Sequence, residues 1–308
     1  MIIHASMRTD IPAFYSRWMA RRIEEGFVLV RNPYNPLSVT RYRLSPDVVD
    51  LIAFCTKNPT PMLPYMGRLS PFRQHWSITV NGYGKALEPG VPPLSSVISG
   101  FRAISAIVGP LHTAWRYDPV CLTGDYDISF HIAAFSHIAR ELEGLTHTCM
   151  TSFLDLYPKV RENFPEGRLT APKERIALAK ELVRIAKSHG IHFISCAEGT
   201  DLAPYGADCR GCFTKERLET LIGAPLHIPK EPRARKECAC IMGHDIGAYS
   251  SCPHFCRYCY ANASPALVRR NYIRHDPASP FLLGGPSPQD EIHEARQESW
   301  IIPQMSLF

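Results

Sequence analysis

The chain is 308 residues long, and its content of 45% hydrophobic and 20% charged residues is typical of a folded protein and excludes a disordered one. Its formal net charge of +5 is compatible with nucleic acid as a partner but is too small to indicate one by itself. No segment reaches the roughly 18–20 apolar residues of a membrane span, and the first residues do not resemble a signal peptide. We therefore predict a cytoplasmic protein that does not bind membranes.

Six short apolar segments predict the buried strands of an α/β fold. They are residues 2–5, 50–54, 75–80, 111–115, 147–151 and 191–195. Apolar residues at three- and four-residue spacing, or helix start and stop signals, predict helices at residues 12–25, 94–107, 128–142 and 176–186. Strands that alternate with helices favour parallel pairing. We predict a partial or closed (β/α) barrel of about six units, with a doubly wound open sheet as the alternative.

Three regions are expected along the chain. Residues 1–200 form the predicted barrel-like domain, with a small extended excursion at residues 27–43. Residues 201–265 are predicted to be an irregular, cysteine-rich segment that carries a metal cluster. Residues 266–308 are polar and rich in proline, which predicts a surface wrap and tail.

Polar side chains follow the end of each predicted strand, and six charged ones among them are candidate site residues. They are Arg8, Asp10, Lys57, Arg116, Asp118 and Glu198. The carboxyl ends of barrel strands converge and build active sites, so these residues are candidates for catalysis. The cations are suited to hold a carboxylate or a phosphate. The acids are suited to bind ribose hydroxyls or an ammonium group, or to pair with the cations. The alternative is that they are ordinary polar loop residues.

Three cysteines near the end of the chain have the spacing of an iron–sulfur ligand set. Cys252, Cys256 and Cys259 are separated by three and then two residues, and Tyr258 directly precedes the last of them. A loop of this spacing can place three thiolates on one side of an iron–sulfur cube and leave the fourth iron open to another ligand. A zinc-binding cluster is the alternative. A disulfide framework is less favoured, because nothing marks the chain as secreted.

The remaining cysteines suggest a second metal site. The chain has eleven cysteines, and five of them, including Cys238 and Cys240, lie within 22 residues. This clustering favours metal over disulfides. Cys238 and Cys240 either flank the main cluster or join Cys209 and Cys212 in a second site for zinc or an iron–sulfur cluster, with unligated thiols as the alternative. Three other cysteines are predicted to be buried as small hydrophobic side chains: Cys55, Cys121 and Cys149.

The run from Cys252 to Cys259 resembles the signature of the radical S-adenosylmethionine (SAM) enzymes. The resemblance implies a [4Fe–4S] cluster on the three cysteines and SAM at the open iron. It also implies cleavage of SAM to methionine and a 5′-deoxyadenosyl radical, with an electron donor of the flavodoxin or ferredoxin type. In that superfamily the motif usually follows the first barrel strand, whereas here it follows all six predicted strands.

Residues 256–261 (CRYCYA) are also similar to the motif of the spore photoproduct lyase group of DNA repair enzymes. Those enzymes abstract a substrate hydrogen atom to reverse a thymine lesion. The similarity implies nucleic acid as a substrate, with a damaged base as the reacting group.

Motifs along nearly the whole chain resemble one bacterial family, called domain of unknown function 1848. They are residues 6–15 (SMRTDIPAFY), 56–59 (TKNP), 115–119 (WRYDP), 196–198 (CAE), 245–247 (DIG) and the cysteine motif as far as Ala261. The C-terminal cysteines of this family are described as similar to the radical SAM cluster site. The resemblance implies an iron–sulfur protein with radical SAM-like chemistry and supplies no substrate. Two residues depart from the family pattern, Met7 in place of Arg and Cys55 in place of Trp.

The last five residues, Gln304 to Phe308, resemble the peptide with which bacterial replication and repair proteins dock on the sliding clamp. Leu307 and Phe308 would fill an apolar pocket, and Gln304 would form hydrogen bonds at its rim. Met305 stands where that peptide commonly has Leu. A tail that packs on its own domain is the alternative.

Three functions are therefore compatible with the sequence. The first is a radical SAM-like enzyme with its motif late in the chain, and the second is the same enzyme acting on nucleic acid. The third is a non-catalytic zinc or iron–sulfur protein with a structural or redox-sensing role. A fourth cysteine such as Cys240 on the same metal would close the open coordination position and favour the third function.

Overall fold

The computed structural model of the chain describes residues 1–229 and 240–303. The strands in this part are β1 (Ile2–His4), β2 (Phe27–Arg31), β3 (Ser38–Arg43), β4 (Leu51–Thr56), β5 (Gln74–Thr79), β6 (Thr113–Val120), β7 (Thr148–Phe153), β8 (His192–Ser195), β9 (His244–Asp245) and β10 (Glu291–Glu294). The α-helices in this part are α1 (Ile11–Phe14), α2 (Ser16–Glu25), α3 (Met66–Leu69), α4 (Leu94–Val108), α5 (Ile128–Glu141), α6 (Pro158–Asn163), α7 (Pro172–Ser188), α8 (Lys215–Ile222) and α9 (Pro265–Ile273).

Seven strands form one parallel sheet in the order β8-β7-β6-β5-β4-β1-β9. The six predicted strands are β1 and β4 to β8, so the predicted α/β class with parallel pairing is confirmed. From β1 to β8 the sheet order follows the chain, without the reversal that defines a doubly wound sheet. The backbone ladders of the described strands leave β8 and β9 at the two edges.

Amphipathic helices connect the successive strands. The buried face of α4 carries Val97, Ile98, Phe101 and Ile104 at three- and four-residue spacing. Helix α5 begins after Asp127, whose carboxylate accepts a hydrogen bond from the Phe130 N–H at 2.8 Å. Helix α7 begins with a proline at its first position, where no intrahelical hydrogen bond is lost. These helices bury the sheet and leave the strand ends for the site.

Three fully buried tryptophans mark the centre of the core, Trp18, Trp76 and Trp115. Trp76 stacks on Phe54 of the neighbouring strand with ring centroids 4.2 Å apart. Trp115 lies 4.4 Å from Phe135 of α5, measured between ring centroids. Aromatic pairs at these separations add to the stabilisation from burial, so the sheet and the helices share one core.

A second sheet holds the predicted excursion in place. Strand β2 pairs antiparallel with β3, and β10 from the C-terminal region pairs parallel with β3. The region predicted to be a surface wrap therefore contains β10 and α9, and it buries Phe281 and Trp300. The segment predicted to be irregular contains α8 and β9. Such short elements carry little periodic signal, and β9 and β10 are defined by pairing with distant residues.

The predicted helix at residues 12–25 is divided into α1 and α2. Tyr15 lies between them with non-helical backbone dihedrals, and its hydroxyl donates a hydrogen bond to the carbonyl of Ser251. The interruption thus places a tyrosine hydroxyl against the residue that precedes the cysteine motif. Apolar spacing could not have revealed this contact.

Candidate functional site

The cysteine motif lies on a loop that covers the carboxyl ends of the parallel strands. His254 in the middle of the loop is buried, and its Nε2 lies 2.8 Å from Oδ2 of Asp10, which follows β1. The Gly90 N–H donates to the His254 carbonyl at 2.8 Å, and the Arg257 N–H donates to the Leu87 carbonyl at 3.0 Å. The loop is therefore anchored to the segments that follow β1 and β5.

Two residues of this region adopt a left-handed backbone conformation. Ser250 has φ 55° and Phe255 has φ 53°, which is uncommon for residues other than glycine. Asparagine side chains hold the flanking backbone: Asn262 Nδ2 donates to the Cys252 carbonyl and Asn271 Nδ2 to the Ser250 carbonyl, both at 2.9 Å. The surrounding structure thus fixes a loop conformation that local preference would not favour.

The loop and the strand ends line an open cavity of about 390 Å³. All three motif cysteines and Tyr258 line it, and so does Cys240. Five of the six predicted polar residues line the same cavity: Arg8, Asp10, Lys57, Arg116 and Asp118. The structure therefore brings the motif cysteines together with polar residues that lie more than 130 positions earlier in the sequence.

Glu198, the sixth predicted polar residue, is held outside the lining of this cavity. Its carboxylate accepts a hydrogen bond from the Phe153 N–H at 2.8 Å and pairs with Arg175, with 3.2 Å between Oε2 and Nη1. Burial raises the pKa of Glu198. Through these two contacts, the Glu198 carboxylate links the end of β7 to α7.

The three predicted cations are each paired with a carboxylate. The pairs are Arg8 with Asp245, Lys57 Nζ with Glu88 Oε1 at 2.8 Å, and Arg116 Nη2 with Asp118 Oδ2 at 2.6 Å. Burial alone would lower the pKa of Lys57, but the Glu88 carboxylate holds that pKa above its ordinary value. An anionic ligand in this cavity would have to compete with these carboxylates for the cations.

Glu88 is a site residue that the sequence analysis missed. Its Oε1 accepts hydrogen bonds from the Tyr258 hydroxyl and from Lys57 Nζ. Burial, and then the nearby Glu88 charge, raise the pKa of Tyr258 well above its ordinary value. Asn81 Nδ2 lies 3.3 Å from the Tyr258 hydroxyl and donates to the Asp118 carbonyl at 2.9 Å. The aromatic residue of the motif is thus fixed by polar contacts to the strand ends.

Burial raises the pKa of all three motif thiols. The Asp10 carboxylate adds to this effect on the pKa of Cys252, whereas the Lys57 ammonium opposes it for the pKa of Cys256. The Ala261 N–H lies 3.3 Å from Cys259 Sγ and donates to it, which favours the thiolate form. Thiols of raised pKa stay protonated at neutral pH and release their protons when a metal cation binds.

A second group of thiols lies on the same cavity, and we call Cys196, Cys212 and Cys240 the second thiol cluster. Cys212 Sγ lies 3.3 Å from Cys240 Sγ and 4.0 Å from Cys196 Sγ. The backbone N–H groups of Cys212 and Phe213 donate to Cys240 Sγ at 3.2 and 3.4 Å. Cys209 Sγ donates to the Ala207 carbonyl at 3.7 Å. The sulfur contacts of Cys212 are therefore with cysteines from distant segments, which the Cys-x-x-Cys spacing of Cys209 and Cys212 did not indicate.

Several other predictions can be placed. Cys121 and Cys149 are fully buried as predicted, and Cys55 is half-buried and lines the cavity. Cys238 and the tail from Gln304 to Phe308 lie outside the described residues. Within residues 1–229 and 240–303, no three or more histidine, cysteine, aspartate or glutamate side chains converge as the ligands of one metal ion.

The fold and the site define a class of α/β protein in which a cysteine-rich loop covers a cavity at the carboxyl ends of parallel strands. The family model described as domain of unknown function DUF1848 matches residues 2–261. The chain belongs to that family, which confirms the resemblance seen in its motifs. None of the curated proteins matches the chain. In the part of the chain that the structure describes, no helix is long and apolar enough to cross a membrane.

Proposed function

We propose that this protein is a radical SAM-like iron–sulfur enzyme whose [4Fe–4S] cluster is bound by Cys252, Cys256 and Cys259. One observation carries the proposal: these thiols line the same cavity as the polar residues at the strand ends. A cluster on these thiols would supply the electron for the reductive cleavage of SAM. The cavity would then hold SAM and substrate beside it.

The motif thiols can hold a cube without converging on one point. The three thiolates of a cube bind three different irons. Cys240, the cysteine that would have closed the open position, contacts Cys212 instead, at 3.3 Å between sulfur atoms. That contact favours an open fourth iron over a closed, purely structural site.

The charged residues of the cavity divide into two roles. Asp10 is a positioning residue, because its carboxylate contacts His254 and accepts hydrogen bonds from the Ala13 N–H at 3.0 Å and the Lys57 N–H at 2.8 Å. It thereby holds the motif loop on the strand ends. Arg8, Lys57, Arg116 and Asp118 are the groups that remain to orient SAM and substrate.

We further propose that the parallel sheet closes into a barrel through irregular backbone between β8 and β9. The Asp208 N–H donates to the Phe193 carbonyl at 2.9 Å, next to β8. The Ile241 N–H donates to the Phe213 carbonyl at 2.9 Å, and the Phe213 ring lies 5.5 Å from the His4 ring of β1. Closure would bring all strand ends to one mouth. An experimental structure without these backbone hydrogen bonds would contradict it.

Nucleic acid is the substrate class that we propose, because residues 256–261 are similar to the spore photoproduct lyase motif and the net charge is +5. Binding to a sliding clamp through Gln304, Leu307 and Phe308 remains a prediction from the sequence. We expect purified bacterial sliding clamp to bind the full chain and to lose this binding when residues 304–308 are deleted. Equal binding, or no binding to either protein, would show that residues 304–308 do not dock on the clamp.

Electron paramagnetic resonance tests the enzymatic proposal directly. We expect the anaerobically purified, dithionite-reduced protein to give a reduced [4Fe–4S] signal that changes when SAM is added. The Cys256→Ala variant should lose that signal, whereas Cys209→Ala, a matched thiol outside both groups, should retain it. A silent sample that contains zinc, or a cluster signal indifferent to SAM, would refute the proposal and favour a structural or redox-sensing role.

A further inference from the structure

The second thiol cluster is assembled from three segments that are distant in the sequence. Cys196 directly follows β8, Cys212 precedes α8, and Cys240 precedes β9. Cys212 lies at the centre, with sulfur–sulfur distances of 3.3 Å to Cys240 and 4.0 Å to Cys196. Three thiols in contact are a soft-metal ligand set or a site of thiol oxidation.

We propose that Cys196, Cys212 and Cys240 bind a thiophilic metal centre that is separate from the centre on the motif cysteines. The proposal does not depend on radical SAM chemistry, because it concerns different sulfur atoms. A zinc ion and a second iron–sulfur cluster are the two candidate centres, because both bind to protein through metal–thiolate bonds.

The sulfur–sulfur distances favour a single ion. Zinc–sulfur bonds of about 2.3 Å in a tetrahedral site place two thiolates about 3.8 Å apart. The two distances around Cys212, 3.3 and 4.0 Å, lie on either side of that value. Thiolates on different irons of a cube are farther apart. In the structure the three sulfur atoms do not converge on one point. Metal binding would require rotation about χ1 of the cysteines, which moves Sγ while the backbone stays in place.

Backbone donors favour the thiolate form of Cys240, whereas hydrogen bonds with the Cys196 and Cys240 thiols, and then burial, raise the pKa of Cys212. Two backbone N–H groups, from Cys212 and Phe213, donate to Cys240 Sγ at 3.2 and 3.4 Å. Hydrogen bonds of this kind stabilise the charged form of a ligand and orient it. The Arg116 guanidinium interacts electrostatically with Cys196 and Cys212. With three protein ligands, a zinc ion would keep a fourth position for water or substrate.

Metal and acid-labile sulfide analysis of the full chain, purified anaerobically, tests the proposal. We expect Cys212→Ser and Cys196→Ser to lose about one equivalent of zinc, or the iron and sulfide of one cluster, relative to the unaltered protein. Both variants should keep the reduced signal of the motif site. Cys256→Ser should show the reverse pattern, and Cys209→Ser should match the unaltered protein. Failure of the motif site would therefore not be mistaken for failure of the second site.

A measurement on the unaltered protein guards against variants that do not fold. X-ray absorption at the zinc edge should show sulfur neighbours at about 2.3 Å. Iron and sulfide in excess of one cluster would show that the second centre is an iron–sulfur cluster. Zinc surrounded only by nitrogen and oxygen, no metal beyond one cluster, or a disulfide between Cys212 and Cys240 found by mass spectrometry would overturn the proposal.

Discussion

Glu88 is the anion on which three groups around the motif converge. Lys57, Tyr258 and Asn81 all place a donor within hydrogen-bonding distance of its Oε1. The exposed fraction of the side chain is 4% for Glu88 and 14% for Lys57. Because the pair is buried, the loss of one partner would leave an uncompensated charge in a poorly solvated position.

We predict that Glu88→Gln lowers the free energy of unfolding by about 3 kcal/mol, near the lower end of the range for breaking a buried ion pair. The substitution keeps the size of the side chain and an oxygen that can accept from the Tyr258 hydroxyl. It removes the charge that balances Lys57. Equilibrium denaturation in urea measures the change.

The pair between Arg41 and Glu294 provides the control. Its Nη1 and Oε1 atoms are 3.1 Å apart, and both side chains are exposed. Exposed pairs contribute about 0–1 kcal/mol, so Glu294→Gln should change stability little. A loss for Glu88→Gln as small as the loss for Glu294→Gln would show that Lys57 is solvated or paired differently.

At single positions, the sequence indicated which residues are candidates for the site better than it indicated which residues they contact. The motif cysteines and Tyr258 were singled out by their type and spacing, and Lys57 by its position after a predicted strand. Glu88 was missed because it lies in a loop where a charged residue is ordinary. Spacing paired Cys209 with Cys212, whereas the structure pairs Cys212 with Cys196 and Cys240. Only the fold, which brings β8 and the segment before β9 together, determines those contacts.

Among the larger elements, the motif loop depends on close contact with the segment after β5. A Cβ atom added to Gly90 would lie 2.2 Å from the Pro253 carbonyl oxygen and 2.8 Å from His254 Cα. Both neighbours are backbone atoms, which cannot rotate away as a flexible side chain can. Glycine is therefore required at position 90 by the approach of two backbone segments.

We predict that Gly90→Ala lowers the free energy of unfolding by about 1–3 kcal/mol, the cost of overpacking a well-packed contact. The same substitution should displace the motif loop from the strand ends. Gly285→Ala is a matched control, because a Cβ there meets no atom within 4 Å. Urea denaturation of both variants tests the prediction, which fails if the two unfold at the same urea concentration.

Periodicity predicted the long elements and failed for the short ones. Helices α4, α5 and α7 and the six main strands were recognised because each buries a face or a whole apolar run. Strand β9 has two residues, and it exists because Ile3 and His4 of β1 are aligned with it. Helix α1 is separated from α2 at Tyr15, whose hydroxyl reaches Ser251. Such contacts depend on residues more than 200 positions away.

In the whole molecule, the C-terminal region is attached to the parallel sheet just before β4. Asp50, just before β4, accepts hydrogen bonds from the Ser299 hydroxyl at 2.5 Å and the Trp300 N–H at 2.7 Å. Trp300 is buried. The sequence predicted the alternation of strands and helices and therefore the parallel sheet. It could not predict these long-range contacts, because they depend on the completed fold.

The late position of the motif has a consequence for synthesis and assembly. A chain that has emerged as far as Ser250 contains all seven strands of the parallel sheet and every predicted polar residue at their ends. It also contains Cys196, Cys212 and Cys240 but none of the three motif thiols. The scaffold and the second thiol cluster are therefore synthesised before the loop that covers them. We expect the second site to be able to acquire its metal first, and the motif site to be the last part of the cavity to form.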